Sequence, residues 1–416
     1  MGINFKDARV TVMGLGRFGG GLGVTRWLLA QGAKVILTDL ATEDALAAQI
    51  TDLGTHANLE CVFGEHREED FVHADVVIAN PAVPMPWKNM YLQSAWRAGV
   101  TVTTEIEILT NQLNRKKVIG VTGSSGKSTT ASMIYAGLQS ACVPCLLGGN
   151  IGGSLLTQLS SINSETIVVL ELSSAMLWWL EKNGGWSPSV AVLTTIEPNH
   201  LDWHGSFDEY KSCKELLFKH QSEDDTSLTQ DAEASFEGLL LIGKHNERNA
   251  AVAFLAAISA GADAKRVRKG IQEFRGLPHR LQYVCDGFYN DSKSTTPTAT
   301  KLAVDAFDDA DKVHLIVGGY DKKIGLELLA KQSERVACMY AIGATAPALV
   351  EQCLREVIQC ASLEEAVIRA MKNMKEGDVL LLSPGCASWD QFANYEARGE
   401  LFCELVTAAK TNQQVH

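Results

Sequence analysis

Short, nearly continuous apolar runs punctuate the chain, and several end in aspartate or asparagine or pass into a glycine turn. Val10–Met13 reads as a strand, followed by a glycine-rich turn and a helix that contains Trp27–Ala30. Lys34–Thr38, closed by Asp39, and Asp75–Ala79, closed by Asn80 and Pro81, read as two more. Apolar runs without alternation fit strands buried on both faces. Strand, helix and strand in succession predict a parallel sheet with right-handed crossovers. A second unit opens near Glu105, with strands at Lys117–Thr122, Ile167–Leu170 and Val190–Thr194 and helices at Thr129–Gln139 and Ala250–Ala260. Gly276-Leu277-Pro278 punctuates the chain as a linker. Beyond it, Val313–Val317, Met339–Ile342 and Val379–Leu382 predict a third α/β unit. The polar, acidic stretch Gln221–Glu237 reads as a surface loop. The expectation is an α/β protein of three domains, 1–104, 105–276 and 277–416.

Composition narrows the partners. A chain of 416 residues, 46% hydrophobic and 21% charged, has the make-up of a soluble globular enzyme of two to four domains. Its formal net charge of −12 argues against a nucleic-acid backbone as main partner. An anionic small substrate remains compatible, because a basic pocket can sit on an acidic protein. Met1 to Lys6 shows no basic-then-apolar leader, Lys6 breaks the myristoylation pattern, and no run of about 18 apolar residues occurs. A cytoplasmic monomer without a membrane partner is expected. Ten cysteines are scattered, and Cys142-x-x-Cys145 lacks the second pair of a zinc site, so they read as reduced thiols.

The clearest chemistry follows the strand ending at Thr122. Gly123-Ser124-Ser125-Gly126-Lys127-Ser128-Thr129 is a glycine turn opening a helix. Glycines let backbone N–H groups approach phosphate oxygens, and the helix N-terminus adds partial positive charge. Lys127 can neutralise β/γ-phosphates and Ser128 can ligate Mg²⁺. Val121 stands where the strict phosphate-loop spacing needs glycine, so this is a shorter variant. Glu171 closes another strand, where a carboxylate faces the ligand crevice and can contact Mg²⁺; a buried structural glutamate reads equally well. His200 and His204 have i, i+4 spacing without the surrounding zinc motif. Lys214, by itself, reads as a solvated helix lysine.

Together these residues resemble the Mur ligase family. Its pattern stands here as Gly123–Thr129, Glu171-Leu172-Ser173-Ser174, Asn199-His200-Leu201-Asp202 and Lys214, then Gly243-Lys244-His245-Asn246-Glu247-Arg248-Asn249, His279-Arg280 and Asp291-Ser292-Lys293-Ser294-Thr295. Gly318-Gly319-Tyr320-Asp321-Lys322, and Leu382–Phe392 continuing to Tyr395 and Arg398, resemble the D-glutamate-adding branch. Order and spacing from about residue 8 to 402 carry the resemblance where single motifs would not. The sequence departs from the pattern at Tyr395, often Phe, and at Asn199, often Asp. Extra glycines follow Gly14. The stretch from Lys214 to Gly243 is short, which predicts two strands fewer in the central domain.

The resemblance implies an ATP-dependent, ADP-forming amide ligase that adds D-glutamate to UDP-N-acetylmuramoyl-L-alanine through an acyl-phosphate. It implies a Rossmann-like UDP-binding domain, a central phosphate-loop ATPase-type domain and a C-terminal Rossmann-like domain. Gly14, Gly16 and Gly19 would cradle the diphosphate, Asp39 would meet ribose or uracil, and Asn150 would reach the substrate. Gly123 to Thr129, with Asn246, Arg280 and Asp291, would bind ATP. Ser128 and Glu171 would hold one Mg²⁺, with His200 and a carbamylated Lys214 serving a second. Lys293 and Lys322 would meet carboxylate or phosphoryl charge, with Thr295, Ser388 and Tyr395 around the amino acid. The rival readings are a family ligase for another amino acid such as L-glutamate, a nicotinamide-dependent oxidoreductase suggested by the glycine turn and Asp39, and a nucleotide-binding regulator without activity.

Overall fold

The structure, a computed structural model, describes residues 3–15, 19–197, 199–231, 233–321 and 325–414, without the side chains of Leu201, Asp202 and 411–414. Its contacts divide it into two compact units, 1–234 with 248–271, and 235–247 with 272–416.

The first unit contains two parallel sheets. β1 (Arg9–Met13), β2 (Lys34–Asp39), β3 (Leu59–Phe63), β4 (Val76–Ala79) and β5 (Thr101–Thr103) form one, in the order β3-β2-β1-β4-β5. β6 (Val118–Thr122), β7 (Cys145–Gly149), β8 (Ile167–Glu171), β9 (Val190–Leu193) and β10 (Thr226–Thr229) form the other, in the order β10-β9-β6-β8-β7. Strand order reverses around β1 and around β6, and ligand crevices open beyond the carboxyl ends at such reversals. Val12 and Leu37 of the first sheet belong to the same buried cluster as Val168 and Leu170 of the second and Leu155 on the chain between β7 and β8. Trp178 packs on Trp87 and Trp203, and Trp203 Nε1 donates to the Pro81 carbonyl at 3.2 Å. Apolar burial of this kind gives the two sheets one interior.

The second unit holds one sheet of β11 (Gln282–Cys285), β12 (Phe288–Asn290), β13 (Val313–Gly318), β14 (Cys338–Ile342), β15 (Val357–Gln359) and β16 (Val379–Leu382), in the order β11-β12-β16-β13-β14-β15. Only β11 with β12 is antiparallel. Leu315, Val317 and Leu381 belong to one buried cluster of this unit, Ile316, Leu380 and Leu382 to another. Alternate residues of one strand point to opposite sides of a sheet, so these strands are covered on both faces.

The α/β architecture of three domains expected from the sequence is present, with one sheet in each. One expectation is corrected: Gln221–Glu237 is not all loop, because β10 pairs with β9 inside it. Among the described residues no helix is long and apolar enough to cross a membrane.

Candidate active site

The phosphate loop is built by close approach. β6 is buried along its whole length and delivers Gly123 at φ +147°, where a Cβ would sit 1.8 Å from Thr194 Oγ1. Gly126, at φ +82°, caps the helix Lys127–Ser140. The chain following β9 anchors the loop: Ser124 N donates to the Thr195 carbonyl at 2.6 Å, and Thr194 Oγ1 donates to the Ser125 carbonyl at 2.6 Å. Lys127 Nζ folds back on the Ser124 carbonyl at 2.9 Å. Ser128 and Thr129 are half-buried in the first helical turn.

Glu171 ends β8 and is 1% exposed. Its Oε1 accepts from Asn150 Nδ2 at 3.1 Å, while its buried Oε2 has no hydrogen-bond partner. A buried oxygen left this way carries an uncompensated desolvation cost, which a cation would relieve. The residues therefore fit a divalent ion. Among the described residues no cluster of three or more His, Cys, Asp or Glu could hold a metal, so such an ion needs hydroxyl, lysine-derived or phosphate oxygens as well.

Lys214 corrects the sequence reading most sharply. It is 2% exposed, not solvated. The helix Phe207–Lys219 buries Tyr210, Cys213, Lys214 and Leu217, a stripe at helical spacing. Lys214 Nζ lies 4.5 Å from the centre of the Tyr210 ring. Burial first, and then the charge of Lys127, push its ammonium down to about 7, against the opposing pull of Cys213 and Glu171.

His200 is exposed and left-handed at φ +51°, whereas His204 is buried with Nε2 2.9 Å from Ser174 Oγ. Sequence reasoning passed over Tyr210, and gave Ser174 no role beyond its place in a motif. Tyr210 Oη lies 2.9 Å from Ser124 Oγ, which ties the Lys214 helix to the phosphate loop. Its i, i+4 spacing from Lys214 was the available signal.

The first sheet contributes the turn after β1. Gly14, at φ +95°, donates to the Thr38 carbonyl at 2.7 Å, and a Cβ there would stand 3.0 Å from Asn80 Nδ2. Asp39 accepts from Leu15 N and Ala41 N, both at 2.9 Å, so it shapes this turn. Gly19 caps the helix Gly20–Ala30, and Gly16 lies outside the described residues. A cavity of about 590 Å³ joins these parts: Gly14 and Asn80 line it together with Asn150, Lys127, His200 and Lys214. That volume suits a small-molecule ligand.

The remaining expected residues stand in the second unit. Asp291, after β12, is 3% exposed and accepts from Leu281 N at 3.1 Å and Ser383 Oγ at 2.7 Å. Burial raises its carboxyl to about 6. Arg280 is exposed; Asn246 is buried and donates to the Ile242 carbonyl at 2.8 Å. Exposed Lys293 lies 5.7 Å from the centre of the Tyr395 ring, and Tyr395 packs edge-on to His279. Ser388 is buried and Thr295 half-buried. Lys322 lies outside the described residues.

Three family models match the chain: "Mur ligase MurD-like, N-terminal domain" over residues 8–104, "Mur ligase middle domain" over 121–238 and "Mur ligase, glutamate ligase domain" over 279–386. Proteins named UDP-N-acetylmuramoylalanine–D-glutamate ligase are similar along nearly the full length. The one from Roseiflexus sp. is 35% identical, covering 96% of this chain and 98% of its own. Those from Koribacter versatilis and Bacillus velezensis are 34% and 31% identical, with 97% and 96% of this chain covered and 98% and 97% of theirs. These alignments run over 463, 456 and 452 residues, so the relatives carry segments that this chain lacks. Among solved structures, UDP-N-acetylmuramate-alanine ligase from Thermotoga maritima superposes with a TM-score of 0.54 at 18% identity, covering 97% of this chain and 100% of that one. This likeness concerns the fold.

Proposed function

This chain belongs to the Mur ligase family, and on that premise we propose that it is an ATP-dependent, ADP-forming ligase that joins D-glutamate to UDP-N-acetylmuramoyl-L-alanine in peptidoglycan precursor synthesis. The observation that carries the reading is the cavity that runs from the Gly14 turn to Lys127 and Lys214. It offers a nucleotide-sugar one end for its diphosphate and another for its carboxylate.

A carboxylate does not condense with an amine in water at neutral pH. In the proposed reaction, an oxygen of the L-alanyl carboxylate attacks the γ-phosphorus of ATP, and ADP leaves. The D-glutamate amine, having lost its proton, attacks the acyl-phosphate carbon. Phosphate then departs from the tetrahedral intermediate, and the amide remains. Both steps gather negative charge, so positioning and fixed positive charge supply most of the catalysis.

The phosphate loop, Gly123 to Thr129, holds the ATP phosphates, with Lys127 at the γ-phosphoryl group. Asn246, Arg280 and Asp291 contact the rest of the nucleotide. Ser128 and Glu171 would hold one Mg²⁺, and His200 with Lys214 a second. Bound there, Mg²⁺ neutralises charge on the transferring phosphoryl group. Lys214 carries a carbamate: its neutral amine bonds to the carbon of CO₂ and releases a proton, turning a cation into an anionic oxygen ligand. Its burial and lowered basicity support that step. Gly14, Gly16, Asp39 and Asn150 receive the UDP-sugar. Lys293 meets carboxylate or phosphoryl charge, and Thr295, Lys322, Ser388 and Tyr395 surround D-glutamate. Residues 1–104, 105–276 and 277–416 serve the nucleotide-sugar, ATP and the amino acid in turn, in a cytoplasmic monomer.

Titration calorimetry tests the first of these assignments. Binding of UDP-N-acetylmuramoyl-L-alanine without binding of NAD is expected. Tight NAD binding with none for the UDP-sugar would return the glycine turn to the oxidoreductase reading.

A further inference from the structure

Arg398 stands in the first turn of the helix Tyr395–Gln414 and is 1% exposed. Its guanidinium reaches the loops that leave three neighbouring strands. Nε donates to Ser292 Oγ at 3.0 Å, and Nη2 to the Ser292 carbonyl at 2.9 Å, on the chain after β12. Nη2 also donates to the Cys386 carbonyl at 3.2 Å, after β16. Nη1 is buried and has no hydrogen-bond partner, and a Cβ on Gly319, after β13, would come within 3.3 Å of it. All three strands are parallel to one another, so these loops gather at one end of the sheet, around its reversal of order.

The partners of this cation are all neutral. Asp390 contributes negative potential, but its Oδ2 accepts from Ala344 N at 2.7 Å, and among the described residues no carboxylate pairs with Arg398. Burial lowers its basicity to about 10. A buried cation without a counter-ion is costly to the fold. The same loops carry Lys293 and Ser388, and the Tyr395 carbonyl accepts from Ser292 Oγ at 2.8 Å.

We infer that Arg398 is a positioning residue for the second substrate: it locks the Ser292, Cys386 and Gly319 loops together and places a buried positive charge beneath them, which makes this end of the sheet a site for a dicarboxylate. The inference rests on the proposed function, in which that substrate is D-glutamate. Arg398 acts through the loops it holds, because its free nitrogen is covered.

The test is steady-state kinetics on Arg398→Lys, which keeps charge without the planar fork, and Arg398→Gln, which keeps a donor without charge. Melting temperatures are measured alongside. Arg398→Gln should raise the KM for D-glutamate by about ten- to a hundredfold, the factor expected when one charge-assisted interaction is lost. Arg398→Lys should recover part of that loss, and the KM for ATP should stay within about twofold in both. An unchanged D-glutamate KM in a folded variant overturns the inference, and so does a parallel rise in the KM for ATP. Should neither variant fold, Ser292→Ala decides: it removes one contact of the fork and keeps the charge. A several-fold rise confined to the D-glutamate KM is then expected, and no rise overturns the idea. A wild type that does not use D-glutamate overturns both this and the proposed function. A wild type that does, with variants unaffected, overturns this alone.

Discussion

As an ammonium, Lys214 would repel Mg²⁺; as a carbamate it would bind it. Lys214→Ala should therefore lose most activity, and millimolar acetate should restore part of it by supplying the missing carboxylate. Unchanged turnover in the variant would remove Lys214 from the mechanism. Only the resemblance to the family pattern marked this residue, and its burial was not legible, because a lysine inside an apolar helical stripe still counts as polar in the pattern. Asp291 gives a second prediction at this scale. Its carboxyl is raised from an ordinary 3.8 to about 6, so the folded state holds the proton more tightly than the unfolded chain. The contribution to stability is present below pH 3.8 and is lost as pH rises through about 6. Asp291→Asn should flatten this slope, so its melting temperature should gain on wild type between pH 4 and pH 7. Parallel curves would count against the raised value. In the proposed amino-acid site, Lys322→Ala should raise the D-glutamate KM by about ten- to a hundredfold, as loss of a charge-assisted contact does. An unaltered KM would move the pocket elsewhere.

The phosphate loop depends on backbone that only glycine allows. A methyl at residue 123 would overlap Thr194 Oγ1, 1.8 Å away, at a φ of +147°. Gly123→Ala should thus open the loop and lower kcat/KM for ATP by at least about tenfold, beyond the roughly 1–3 kcal/mol of backbone strain. ATP kinetics close to wild type would mean the loop is looser than its geometry indicates. This element was legible because strand, glycine turn and helix follow in register. Other elements were not. Most strands that the apolar pattern missed, among them β3, β5, β7, β10 and β15, lie at sheet edges, and β5 and β15 span only three residues. Edge strands are covered on fewer sides, and β3 and β10 show mainly exposed or half-buried positions, so no continuous apolar run marks them. β12 is internal but only three residues long.

At the scale of the whole molecule, the sequence foretold three α/β domains because β1, β6 and β13 are buried runs at the reversal of each sheet, and glycines follow each of them. The sharing of one interior by the first two sheets was not foretold, since it depends on long-range packing such as Trp203 against the Pro81 loop. The relatives' longer alignments mean that they carry segments this chain lacks. Phosphate release from ATP tests the central claim most directly, measured with UDP-N-acetylmuramoyl-L-alanine alone, with D-glutamate alone and with both, beside a panel of L-glutamate, L-lysine and meso-diaminopimelate. The account predicts stoichiometric ADP, phosphate and amide product only when the UDP-sugar and D-glutamate are present together. Sustained turnover with another amino acid in preference to D-glutamate, or no turnover with any pair, would contradict it.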